Sequence, residues 1–290
     1  MKPILVEVLR GGAVEARHRV HAVAVSEGDV VAAMGDPGLV ALFRSAAKPF
    51  QALPIVRARA DLDEAEIAIA CASHERRPER LDPVRSLLAK AGATESDLEC
   101  GEQPTRLEHT CSGKHAAMLL LCRERGWPFD GYRLLPHPCQ QELITEVASA
   151  AEVAPESMPT AVDGCGVVTY GLTLERMANA FSRLEAVDDG RRVADAMRAR
   201  PELVGADGAP DTELMRLRSG WTAKYGAEGL LCAAHGDLGI ALKAEDGAQR
   251  PLRSALAALL EALGFRPGAL ADVVVHNSRG EVVGEVRVTS

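Results

Sequence analysis

Arg44-Ser45-Ala46-Ala47-Lys48-Pro49-Phe50 places a serine and a lysine three residues apart, just after the strand-like stretch Leu39–Phe43. Proline is tolerated in a first helical turn, so Pro49 marks a helix start here, with Ser45 near its N-cap. One turn along a helix, Lys48 shares a face with Ser45. A serine hydroxyl is inert at neutral pH until a base takes its proton, and a lysine at that distance can serve as the base. Ser-x-x-Lys also arises by chance, as a plain helix cap beside an exposed lysine. Two other segments add weight: Cys71-Ala72-Ser73-His74-Glu75, and far downstream Lys224-Tyr225-Gly226. The order serine–lysine, serine, lysine points to acyl transfer by serine and lysine.

Working outward, residues 4–35 read as short strands (Ile4–Val8, Val14–Ala16, Val20–Val25, Val30–Met34) separated by Gly11-Gly12 and Gly28-Asp29. Ile67–Ala72 reads as a buried strand leading to Ser73. The middle of the chain is helical. Asp82-Pro83 opens a segment that Gly92 closes, Gly113–Arg125 follows, and Pro138 begins another. Leu174, Met177, Ala178, Phe181 and Leu184 form an amphipathic stripe. Strand character returns at Leu230–Ala233, Gly239–Lys243, Val273–Val275 and Val282–Val288, with leucines at helical spacing over Leu252–Leu263. The expected fold is α/β in the α+β sense: one domain, 1–290, whose sheet draws on both ends of the chain and is flanked by helices.

The chain has 290 residues, 47% of them hydrophobic, enough for a buried core. Only 3% are aromatic, so aliphatic residues must fill that core. A net charge of −8 without a basic stripe speaks against nucleic-acid binding. Apolar runs are too short to span a bilayer, and Glu7 interrupts the N-terminus before any signal core, so a cytoplasmic protein is expected.

Seven cysteines at irregular spacing do not form a secreted disulfide framework. Cys111-Ser112-Gly113-Lys114-His115 sits at a helix start, and Asp163-Gly164-Cys165-Gly166 reads as a tight turn. Thiolates from these two loops suit zinc, with Lys114 or His115 as a nitrogen ligand. Equally, both are ordinary buried thiols. Asp163 suits a turn cap or a substrate ammonium.

The stretches RSAAKPFQALP (44–54), CASHE (71–75), HTCSGKHAAML (109–119), LLPHPCQQ (134–141), AVDGCGVVTYGL (161–172) and KYGAEG (224–229) resemble the rhizobial-type L-asparaginases. The serine and lysine motifs also follow the order found in penicillin-binding proteins and β-lactamases. The resemblance implies a fold like that of serine β-lactamases and serine-dependent glutaminases, in a homodimer. It implies two tandems, Ser45 with Lys48 and Ser73 with Lys224, and a zinc site on Cys111, Lys114 and Cys165. Asp163 matches a substrate-binding position, and Arg44 and His115 lie in matching blocks. The implied reaction is hydrolysis of L-asparagine. Glutamine or a β-lactam is the alternative substrate, and a non-catalytic zinc-stabilised amino-acid-binding dimer the alternative of another class. Two departures stand out. HERRPERL (74–81) carries three arginines where a smaller turn is expected, and the span between DGCG and KYG is short, which leaves Lys243 as a substitute for Lys224.

Overall fold

The computed structural model describes residues 1–289. Its chain runs through β1 (Ile4–Arg10), β2 (Ala13–Ser26), β3 (Asp29–Met34) and β4 (Val40–Leu42) into a 3₁₀ turn, Arg44–Ala47. Five helices follow: α1 (Lys48–Ala58), α2 (Glu64–Ala70), α3 (Pro78–Ala91), α4 (Ser112–Arg125) and α5 (Pro138–Ala151). Next come β5 (Thr160–Val162), β6 (Val168–Thr173), α6 (Leu174–Ser182), α7 (Gly190–Ala199), α8 (Pro201–Val204) and α9 (Pro210–Leu217). The chain closes with β7 (Trp221–Gly226), β8 (Leu230–His235), β9 (Leu238–Ala244), α10 (Leu252–Ala262), β10 (Val274–His276) and β11 (Val282–Thr289).

The large sheet is antiparallel in the order β10-β11-β1-β2-β9-β8-β7, with β3 paired to β2. First and last strands lie side by side, with Val6 opposite Val288 and Val8 opposite Val286, so the sheet does draw on both ends of the chain. A small sheet, β4-β6-β5, sits apart from it. Ala22, Val23, Ala24 and Val25 are each at most 2% exposed. Successive strand residues point to opposite faces, so this part of β2 is covered on both sides. The covers are α6, packed on β2, β8 and β9, and α10, packed on β1, β2, β9 and β11.

Ile67–Ala72 is helical at its start, not a strand as the apolar run implies: α2 spans Glu64–Ala70. The local reason is a capping box. Asp63 accepts from the backbone of Glu66, and Glu66 accepts from the backbone of Asp63. A short apolar run does not distinguish a buried helix from a strand, and the cap decides it. The two expected strands at Val14–Ala16 and Val20–Val25 are one strand, β2.

Aromatic residues are few, yet three of the five phenylalanines meet beneath the Ser-x-x-Lys segment. Ring centroids of Phe43 and Phe50, which flank it, lie 5.9 Å apart, and Phe181 of α6 stands 6.2 and 5.3 Å from them. Such pairs contribute about 0.5–1.5 kcal/mol each beyond their buried area. They clamp the 3₁₀ turn onto the core from both sides. Gly113 does similar work for α4: a Cβ there would lie 2.2 Å from the Ile69 carbonyl oxygen, so only glycine lets α4 start against the end of α2. Among the described residues no helix is long and apolar enough to cross a membrane.

Candidate active site

Two fully buried lysines organise the site. Lys48, at the first turn of α1, sends its amine across to the exit of α2. There it donates to the Ala72 carbonyl and lies 3.0 Å from Ser73 Oγ and 3.4 Å from Cys111 Sγ. Among the described residues no hydrogen bond joins Lys48 to Ser45. The hydrogen bonds of the Lys48 amine run across elements, to the end of α2 and the start of α4. The reason is local: Ser45 lies in the 3₁₀ turn and does not cap α1, and a buried amine must find acceptors, which the end of α2 supplies. Ser73 is held in place by its own N–H, which donates to Val204 O at 2.8 Å, while His74 N donates to Thr110 O at 3.1 Å.

Burial pulls the Lys48 pKa below the ordinary lysine value; Cys111 opposes it, and the Lys114 and Lys224 cations push the same way as burial. Lys224 comes from β7 and is also fully buried. Its ammonium donates to Asp211 Oδ2 at 3.1 Å and to Tyr225 O at 3.1 Å. No hydrogen bond links it to Ser73 among the described residues. Lys243 lines a groove of about 360 Å³ with Leu39, Val40, Leu42 and Arg44.

The sulfur cluster adjoins Lys48. Cys111 is the N-cap residue of α4, Lys114 lies one turn along, and Cys165 sits in the turn joining β5 to β6. Lys114 Nζ donates to Cys165 Sγ at 3.2 Å. The Cys165 thiol is brought down to about 5, first by a hydrogen bond from Cys111 and then by the Lys114 cation, with burial opposing. At neutral pH Cys165 is therefore a thiolate. Burial alone lowers Lys114, but Cys165 and Cys111 overcome it and hold its ammonium protonated. His115 is fully buried, with Nδ1 2.5 Å from the Tyr132 hydroxyl and Nε2 without a partner among the described residues. Burial and the neighbouring Lys114 push its pKa well below the ordinary histidine value, so it is neutral.

Arg44 and Asp163 meet at the rim. Arg44 Nε donates to Asp163 Oδ1 at 2.7 Å, and Gly164 N donates to the same oxygen at 2.7 Å. Burial opposes ionisation of Asp163, but Lys114 and Arg44 together hold its carboxyl below the usual range. Arg44 has φ +47°, in the left-handed region that non-glycine residues avoid. Its N–H is held by Thr169 Oγ1 at 3.0 Å. Strain of this kind clusters at functional sites, and here it accompanies a guanidinium aimed at Asp163.

The structure therefore brings Lys48, Ser73, Cys111, Lys114, Cys165, Arg44 and Asp163 into one linked set. Sequence reasoning passed over three supports, of Lys224, Arg44 and the start of α4. Asp211 reads as an ordinary helix-start residue beside Pro210, Thr169 as a strand residue, and His74, whose Nε2 lies 2.9 Å from Ser112 Oγ, as a loop residue. Two of the three arginines of HERRPERL prove to be ties: Arg80 donates to Gly205 O at 2.9 Å, and Arg77 pairs with Asp207 at 3.1 Å.

Among solved structures, the chain is similar to a β-lactamase from Mycobacterium bovis, at 16% identity over 84% of this chain and 94% of that one, with a TM-score of 0.39. It is also similar to an octameric penicillin-binding protein homologue from Pyrococcus abyssi (11%, 86% and 74%, TM-score 0.41). A third is Mglu in its L-glutamate binding form (16%, TM-score 0.41), where 89% of this chain covers 64% of the other. No curated protein matches the chain. The sequence model that describes L-asparaginase II matches residues 6–288, nearly the whole chain, and the protein belongs to the L-asparaginase II family.

Proposed function

We propose that this chain hydrolyses L-asparagine to L-aspartate and ammonia through a seryl ester, with Lys48 as the base. Membership in the L-asparaginase II family carries the amidohydrolase class and a small-molecule amide substrate. The observation that supports the finer reading is Lys48: a fully buried amine with a lowered pKa, in contact with a half-buried serine hydroxyl. In its neutral form Lys48 accepts the Ser73 proton, and Ser73 accepts that of Ser45. Ser45 Oγ attacks the side-chain amide carbon, and the C–N bond breaks as the proton returns to the leaving nitrogen. Water then attacks the aspartyl ester by the same relay in reverse. Ser45 is assigned the attack because it follows Arg44 in the chain, and Arg44 pairs with Asp163; these two groups suit the substrate carboxylate and ammonium. Binding splits their mutual ion pair and replaces it with two to the substrate.

The donor set of Cys111, Lys114 and Cys165 fits zinc: two sulfurs, one already a thiolate, and an amine converge from two loops. Lys114 must lose its proton to ligate, so metal and proton compete for the same nitrogen. Bound there, zinc would fix the two loops that carry the rim of the site. Removal by a chelator is expected to raise KM for asparagine by about tenfold or more, with kcat reduced less. A loss confined to kcat contradicts a positioning role.

Ammonia release from L-asparagine and from L-glutamine by the purified protein tests the reading. Turnover of asparagine with a higher kcat/KM than glutamine supports it. Folded protein that turns over neither amide overturns it.

A further inference from the structure

Asp211 has no place in the reading above, yet it is one of the most constrained side chains in the molecule. It is fully buried in the first turn of α9 and makes three hydrogen bonds. Oδ2 accepts from Lys224 Nζ at 3.1 Å and from Tyr225 N at 3.0 Å, and Oδ1 accepts from Thr212 N at 2.9 Å. The segment before it is shaped around it. Gly205 is extended, where any residue is conformationally allowed, but a Cβ there would lie 2.9 Å from Asp211 Oδ1 and 2.6 Å from Thr212 Oγ1. Arg80 holds the Gly205 carbonyl, and Arg77 and Arg216 hold Asp207 at 3.1 and 2.9 Å. A chain of ties thus runs from the arginine-rich loop after Ser73 to the carboxylate that grips Lys224.

Consider what this leaves Lys224 able to do. An ammonium has three N–H donors. Asp211 and Tyr225 O engage two of them, and the Tyr225 ring centroid lies 4.3 Å from Nζ. The charged and titratable groups around it are Lys48 of α1, Asp211 of α9, Cys71 at the end of α2 and Tyr225 of its own strand. Removing Lys224 leaves the Asp211 carboxylate without its partner, a costly state where both side chains are fully buried. A lysine held in this way has a fixed position and one N–H left for another partner.

We propose that Asp211 is a positioning residue of the amide-hydrolysing site: its hydrogen bond to Nζ fixes the Lys224 side chain, and the one N–H it leaves free, beside Lys48. The inference rests on the seryl-ester reading above and divides labour between two lysines that the sequence presents as equivalent halves of two tandems. Lys224 then acts by charge and by its one free N–H, and Asp211 acts through Lys224.

The test is asparagine turnover by Asp211→Asn, Asp211→Glu, Lys224→Met, Gly205→Ala and the double variant Asp211→Asn/Lys224→Met, with circular dichroism to confirm folding. Asp211→Asn should lower kcat about 100-fold while KM stays within about threefold, the size expected for loss of a preorganised charge. Asp211→Glu, which keeps the carboxylate, should regain about tenfold of that loss, and the double variant should be no slower than Lys224→Met alone. Residues acting as one unit behave this way, whereas a merely structural aspartate gives losses that multiply and track the folded fraction. Gly205→Ala keeps both charges but crowds the carboxylate, and should lower kcat about tenfold at unchanged KM even where Asp211→Asn does not fold. Wild-type kcat in either Asp211→Asn or Gly205→Ala, or multiplicative loss in the double variant, overturns the proposal. If the unaltered protein turns over neither amide, the seryl-ester reading itself has failed and this inference falls with it. An active wild type beside an unimpaired Asp211→Asn sinks only the role of Asp211.

Discussion

Replacing Lys48 with methionine should abolish asparagine hydrolysis, with kcat down about 10³- to 10⁴-fold, the upper range for loss of a positioned proton acceptor. Methionine is close in length and apolar, so the cavity stays filled and the protein should fold. The fully buried amine is costly to hold as a cation, and its removal relieves that cost. Stability is thus expected to hold or rise while activity disappears, the opposite of what a structural lysine would give. The pH profile provides the second arm. Burial first, and then Lys114 and Lys224, lower the Lys48 pKa, so the neutral base is present at pH values where a free lysine is still protonated. Activity of the unaltered protein should therefore climb with rising pH and level off below the ordinary lysine value of about 10.4. A kcat/KM that keeps rising through that value, or a Lys48→Met variant within about tenfold of wild type, removes Lys48 as the base.

The same sign governs folding. A lysine whose folded pKa is depressed binds fewer protons in the native state than in the unfolded one. Its contribution therefore favours unfolding at low pH, and this penalty fades as pH rises past the folded value. In Lys48→Met that part of the pH dependence should vanish.

How much of this was legible in the sequence depends on the range of each interaction. The sheet was readable because β-strand residues cluster or alternate locally, and Val6 and Val286 need only be apolar to end up in neighbouring strands. The turn at Asp163–Gly166 and the helix starts at Cys111 and Pro138 were readable for the same reason: glycine, proline and caps act within a few residues. Ile67–Ala70 was misread because a short apolar run is ambiguous, and the Asp63–Glu66 capping box that settles it is a polar signal outside the run. The site was legible as a list of residues, not as a set of pairs. Lys48 lies 25 positions before the serine it touches, and Asp211 lies 13 before the lysine it holds. Nothing in local spacing encodes those partners. Arg77 and Arg80 of HERRPERL looked like a departure because their acceptors, Asp207 and Gly205, are more than a hundred residues away.

Those pairs decide the second large effect, the one that separates the two serines. Ser45→Ala should lower kcat about 10³-fold or more and leave no covalent aspartyl adduct on the protein when the reaction is quenched with acid and weighed by mass spectrometry. Ser73→Ala should also be slow, about 10²-fold down, because Lys48 loses its hydroxyl partner at 3.0 Å and the proton must find another route. It should still form the adduct, since the attacking oxygen remains. The two variants thus differ in kind as well as in size. An adduct that survives Ser45→Ala and disappears in Ser73→Ala would transfer the nucleophile to Ser73. Lys48 then acts on it directly, at the contact already present in the resting structure, and Ser45 is left to place the substrate beside Arg44. Either result keeps Lys48 at the centre, because in both routes the proton ends on the same buried amine.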